Sequence, residues 1–323
     1  MTPHAPASPP AARAWRGKIL LGIALGAAVY VGFVAYADWG RVRGALASFE
    51  WRWLAAALLL ALLNYALRFC KWQLYLRVLD LSVPVAESAL IFVSGFSLTV
   101  TPGKLGEVLK SFLLRDRRGI AVSRTAPIVV AERLTDLLAL ALLAISGVAT
   151  HRTGGLGVIA GAGLVVLALG LVSSRRVAHT LFRIAPARFR TRLDDMYDSA
   201  WRLLRPTPLA LATLLSVAAW FSECVSLWLL VGGFPGASAS LSLATFVYAV
   251  TTIAGALSFL PGGLGVTEAG MTSLLVRLGT GITTPVAVAA TFLVRLATLW
   301  FAVLLGAGAL VLHGRRRLLT PRP

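Results

Sequence analysis

Two glycine-proline interruptions of apolar sequence constrain this chain more than any other feature. Pro102-Gly103-Lys104-Leu105-Gly106-Glu107 separates an apolar arm, Ala86 to Thr101, from a shorter one, Val108 to Leu114. Pro261-Gly262-Gly263-Leu264-Gly265-Val266-Thr267-Glu268 separates Leu241 to Leu260 from an arm that ends near Leu278. A helix needs roughly 20 apolar residues to cross a bilayer, so neither arm of the first segment is a comfortable crossing. Charge of cytoplasmic type flanks both ends of that segment, which predicts a re-entrant hairpin. Broken backbone at membrane depth survives only where protein buries it or where it lines a polar cavity. The two breaks therefore mark a cavity.

The breaks match each other, Pro102 with Pro261, and Arg133 matches Arg295 at an offset only slightly larger. This is an internal duplication. Each copy holds two spans, a hairpin and a long span. Three crossings per copy place the second copy upside down relative to the first, with the hairpins entering from opposite faces. Inverted repeats with discontinuous helices are a construction of secondary transporters, whose halves exchange roles between inward-open and outward-open states. The same duplication could also serve only to build a stable bundle, as in some membrane enzymes and channels.

Composition agrees with a membrane setting. Of the 323 residues, 58% are apolar or aromatic and only 14% are charged, against about 25% charged in soluble domains. The net charge of +18 follows the membrane: of 31 Lys and Arg, 24 fall in segments assigned to one side, five to the other and two within spans. That is the positive-inside pattern, and it excludes nucleic acid as the reason for the charge. Cys70 and Cys224 have no local partner, and the four histidines lack metal-ligand spacing, so neither a metal nor a cofactor is expected.

The expected architecture is an all-α integral membrane protein: an inverted-repeat bundle of about six spanning helices and two re-entrant hairpins, with both termini cytoplasmic. A tail, 1–18, precedes the first repeat, 19–150. The second repeat, 151–313, includes a basic linker, 174–207, and a basic tail, 314–323, follows. Ile19 to Ala37 is read as the first span; Ala35-Tyr36-Ala37 also resembles a signal-peptidase site. Trp39 to Trp53 reads as an interfacial amphipathic helix, and Trp53 to Phe69 as a span whose cytoplasmic end carries Arg68, Lys71 and Arg77.

Ionisable residues inside spans are costly and mark functional sites by default. Here they are Glu107, Glu132, Arg133, Asp136, Glu223, Glu268 and Arg295. Arg133 and Arg295 occupy equivalent positions, and guanidinium forks suit phosphate oxygens. The helix starts after Gly103 and after Gly262-Gly263 offer free N–H groups, and Lys104 adds charge at the first break. These residues are the candidate headgroup-binding set. Glu107, Glu132, Asp136, Glu223 and Glu268 are candidates for charge pairing or proton coupling; a purely structural ion-pair network is the alternative. No catalytic residue is expected, because GxSxG, Walker and DxD patterns are lacking.

The two break motifs as they stand resemble the flippase-like family that includes the membrane region of lysylphosphatidylglycerol synthases, over about residues 17 to 313. The resemblance implies movement of a polar lipid between leaflets, in a bacterial-type inner membrane, with relatives linked to aminoacylated phospholipids, polyprenyl-linked sugars and hopanoids. It also implies roles for Lys104, Glu107 and Glu268. No aminoacyl-transfer domain is recognised, so synthase activity is not expected to carry over. The expected partners are membrane lipids and the polar lipid substrate, with a homo-oligomer or lipid-biosynthesis proteins as further partners. A membrane enzyme or accessory subunit of lipid biosynthesis is the competing reading, with Glu107 or Glu268 as general base.

Overall fold

Proline and small polar residues set where the helices begin. In the computed structural model, which describes residues 31–32, 39–101, 105–151, 163 and 187–319, eleven helices are numbered α1 to α11. After α1 (Trp39–Ala47) and α2 (Arg52–Val78), the first hairpin is α3 (Val85–Gly95), a 3₁₀ turn (Phe96–Leu98), the break, and α4 (Leu105–Arg118). A long helix, α5 (Val122–His151), follows; α6 (Ala187–Leu203) leads into α7 (Pro206–Gly232). The second hairpin is α8 (Leu241–Leu257), a 3₁₀ turn (Pro261–Gly263) and α9 (Val266–Leu278). The last long helix is α10 (Thr284–Arg295), a π-helical turn (Leu296–Trp300) and α11 (Phe301–Leu319). Proline suits the starts of α7 and α10 because the missing N–H would have no intrahelical partner there. Ser240 Oγ caps α8 by accepting from Leu243 N at 3.1 Å, a preferred role for serine.

Three of these stretches, Arg52–Val78, Pro206–Gly232 and Thr284–Leu312, are long and apolar enough to cross a membrane. The long α5 is set apart from them by Glu132, Arg133 and Asp136. Apart from residues 31–32, the span read at 19–37 lies outside the described residues. The span read as ending at Phe69 instead continues as one helix to Val78, so Arg68 and Lys71 are helix interior. Lys71 is 1% exposed. Their reading as the end of the helix is therefore corrected: apolar neighbours on α2 continue past the charges, and a buried carboxylate partners them.

The packing joins elements far apart in sequence. α2 lies along α7. The first arm of each hairpin packs on a long helix, α3 on α11 and α8 on α5. The amphipathic helices follow suit, α1 against α10 and α6 against α5. Buried Leu140, Leu227, Phe246 and Met271 belong to the larger apolar core, and Trp72, Tyr75, Phe92 and Ile128 to a second. A small third cluster joins the hairpin tips: Val100 and Leu264 meet Leu299 and Val303 of the last long helix. A Cβ on Gly262 would sit 3.7 Å from the Val100 Cα. The second break therefore touches the end of the first hairpin's leading arm.

Candidate cavity between the hairpins

Beside the meeting tips lies a cavity of about 410 Å³, within the range of small-molecule sites. Its walls come from α2, both hairpins, α5, α7 and the last long helix.

The second break is built for its shape. Gly262, Gly263 and Gly265 all have positive φ, from 61° at the first to 67° and 87° at the others. Other residues adopt such backbone only with strain. α9 begins there with half a capping box: the Gly265 N–H donates to Glu268 Oε2 at 2.7 Å, the reciprocal bond of that motif. The other carboxylate oxygen, Oε1, accepts from Arg295 Nε at 2.7 Å, and Arg295 Nη2 donates to the Gly262 carbonyl at 2.6 Å. One guanidinium thus ties the break, the start of α9 and the last turn of α10 together. The π-helical turn begins at the next residue, Leu296; such turns cluster at functional sites.

On the opposite side, Asp136 gathers three cations. Lys71 Nζ donates to Oδ1 at 2.6 Å, while Arg133 and Arg68 reach Oδ2 at 3.3 and 3.4 Å. Ser216 Oγ on α7 accepts from Lys71 Nζ at 2.7 Å and lies 3.0 Å from Oδ1. Lys110 on α4 grips both oxygens of Glu132, at 2.7 and 3.0 Å, and stands 4.6 Å from the Trp72 ring centroid. The Arg68 guanidinium lies 5.7 Å from the Trp220 ring centroid, within cation–π reach. Glu223 on α7 accepts a hydrogen bond from the Tyr248 hydroxyl of α8.

Among the described residues, five buried or half-buried cations, Arg68, Lys71, Lys110, Arg133 and Arg295, therefore face four carboxylates, Glu132, Asp136, Glu223 and Glu268. Cations from α2, α4, α5 and α10 thus converge on one largely apolar space, where electrostatic interactions are strong.

Of the residues singled out from the sequence, Arg133, Asp136, Glu223, Gly262, Gly263 and Arg295 all border this cavity. Glu132 and Glu268 stand behind it, holding Lys110 and Arg295. Arg133 and Arg295 share the cavity, but Arg133 meets Asp136 and Arg295 meets Glu268. Gly103 and Lys104 lie outside the described residues, as does the side chain of Glu107. Sequence reasoning misses Arg68, Lys71 and Lys110 as members of the site. Arg68, Lys71 and Tyr75 recur at spacings of three and four, one helical face, and that periodicity is the signal that identifies them.

A family model described as the lysylphosphatidylglycerol synthase TM region matches residues 19–306, the whole stretch that builds the cavity. The chain belongs to this family. Among relatives, it is 24% identical over 304 residues to a UPF0104 membrane protein of Pyrococcus horikoshii, covering 83% of this chain and 89% of that one. It is 36% identical over 73 residues to a UPF0104 membrane protein of Methanothermobacter thermautotrophicus, covering 23% of this chain and 22% of that one. The family match agrees with the resemblance carried by the two break motifs. As a member of the lysylphosphatidylglycerol synthase TM region family the chain is membrane-embedded, and its charged cavity lies within the matched segment.

Proposed function

We propose that the protein moves a polar, phosphate-bearing lipid or lipid-linked precursor between leaflets, by alternating access between two inverted halves. The observation that carries this reading is the cavity beside the meeting hairpins, bordered by Arg68, Lys110, Arg133 and Arg295. Arg68 and Arg133, which border the cavity and meet at Asp136 Oδ2, are the residues best suited to a headgroup phosphate. The reciprocal docking of each hairpin on the opposite long helix supports the inverted-repeat reading. Six crossings, cytoplasmic termini and a bacterial-type inner membrane belong to the same proposal. Apolar residues at the cavity rim, among them Phe259, Leu257 and Leu260, are exposed, and they let lipid tails remain in the bilayer while the headgroup enters.

The enzymatic alternative gains little from Glu268, whose two oxygens both accept hydrogen bonds and hold Arg295 in place. The test is native mass spectrometry with lipidomics on protein gently purified from its own membranes, wild type against Arg133→Ala/Arg295→Ala. Enrichment of one phosphorylated lipid class that disappears in the variant is expected, and it names the cargo for a liposome flipping assay. Bound lipid that mirrors the bulk membrane in both proteins overturns the headgroup site.

A further inference from the structure

We propose that Glu223 takes up one proton with each anionic headgroup that enters the cavity, so that the protein carries a proton and a lipid anion together. The proposal rests on the anion-binding reading above and assigns its coupling ion.

Four carboxylates surround the cavity, and they are not alike. Glu132, Asp136 and Glu268 each hold a cation at 2.7 Å or less. Among the described residues, Glu223 meets no cation at ion-pair distance; its hydrogen-bond partner is the neutral hydroxyl of Tyr248. It is 5% exposed, yet it borders the cavity. The groups that act on it come from every helix packed along its part of α7: Tyr65 and Arg68 from α2, Asp136 from α5, Tyr248 from α8 and Arg295 from α10. Cys224 is its neighbour on α7 itself. The remaining contact of α7, with α6, adjoins its other end at Pro206. Glu223 thus lies within electrostatic reach of Arg68 and Arg295, one cation from each half.

Protonating Glu223 removes one negative charge from the wall of the cavity. An anion entering this space repels an ionised Glu223 and is attracted more strongly when Glu223 is neutral. By linkage the effect is reciprocal: the anion draws a proton onto Glu223, and the proton tightens the anion. The proton comes from water on the side of entry and bonds to a Glu223 carboxylate oxygen. It leaves to water on the side of release, when the anion departs. A singly charged headgroup and one proton together cross without net charge. The other three acids are poor candidates for this role, because protonating any of them strands a buried cation.

The test is calorimetric titration of dioctanoyl phosphatidylglycerol, and separately dioctanoyl phosphatidic acid, into the full chain in a non-ionic detergent. Titrations run from pH 5 to 9 in buffers of different ionisation enthalpy. The expected result is uptake approaching one proton per lipid within that range, with affinity falling about tenfold per pH unit there. Glu223→Gln abolishes both the uptake and the pH dependence. Tyr248→Phe keeps the carboxyl but removes the hydrogen bond to its charged form, so the uptake window moves to higher pH. This second variant decides the matter even if Glu223→Gln does not fold. Lipid binding without proton uptake at any pH, uptake that persists in Glu223→Gln, or a Tyr248→Phe profile identical to wild type overturns the role of Glu223 and leaves the anion site standing. Failure of either lipid to bind saturably overturns the anion site, and the proposal with it.

Discussion

Removing Asp136 should destabilise the protein far more than removing Lys71, although the two are partners in one ion pair. Lys71 is buried and bonded to Asp136 Oδ1 at 2.6 Å. Asp136, however, also holds Arg68 and Arg133 at 3.4 and 3.3 Å and lies 3.0 Å from Ser216 Oγ. Lys71→Met therefore leaves a carboxylate with two cations and fills the vacated space with an apolar chain of similar length. Replacing buried charge by a hydrophobe is often near neutral, so a loss of about 1 kcal/mol is expected. Asp136→Ala strands Lys71 inside the bundle beside two arginines; leaving a buried charge unpaired costs about 3–5 kcal/mol. Adding Lys71→Met to Asp136→Ala removes the stranded charge and should recover part of that loss, a non-additive response. At roughly 2 °C per kcal/mol for a chain of this size, the single variants should differ by several degrees. Tryptophan fluorescence during thermal unfolding in detergent at pH 7 reads the difference. Equal losses for the two single variants, or a double variant at their sum, would refute the view that one carboxylate anchors three cations.

Three further outcomes follow from the geometry. A Cβ on Gly306 would collide with the backbone at Phe96 and Ser97, whereas no described neighbour reaches one on Gly308. Gly306→Ala should cost about 1–3 kcal/mol by overpacking, and Gly308→Ala should be neutral or stabilising by up to about 1 kcal/mol; thermal unfolding of the two variants checks the contrast. Arg295→Lys cannot hold Glu268 and the Gly262 carbonyl together as the guanidinium does. Retention of co-purifying lipid should fall at least about tenfold, read by native mass spectrometry, the size expected when a charge-assisted contact is lost. On the surface, Glu87 ties the start of α3 to Arg118 at the end of α4 and raises the proton affinity of that guanidinium. Exposed pairs of this kind contribute little, so Glu87→Gln should leave the unfolding temperature unchanged within about 1 °C.

Much of the hairpin architecture was legible because proline, glycine and apolar length act locally. The arms flanking the first interruption and the second break at 261–263 could be placed without any tertiary knowledge, and pairing Arg133 with Arg295 led to two residues that border one cavity. Lys71 and Lys110 were not legible in the same way. A basic residue after a long apolar run reads equally well as a snorkelling helix end or as a buried partner, and only the acid facing it decides. That acid lies on another helix, Asp136 for Lys71 and Glu132 for Lys110. The role of Glu268 was partly readable, since Gly265-Val266-Thr267-Glu268 has the spacing of a helix start. Its second oxygen's grip on Arg295 joins residues 27 apart in sequence and needed the fold.

The docking of α3 on α11 also sets a timetable for biogenesis. The first hairpin leaves the ribosome early, but α11, the surface on which α3 rests, begins about 200 residues later. At synthesis rates of about 5–20 residues per second, that is a wait of roughly 10 to 40 seconds. During that interval α3 lacks its final cover, and the Lys71–Asp136 pair on α2 and α5 can already form while Arg295 has yet to be made. A newborn chain of this kind therefore needs either shelter at the insertion machinery or a provisional arrangement that the last helix displaces, and truncation before α11 should direct it to membrane quality control.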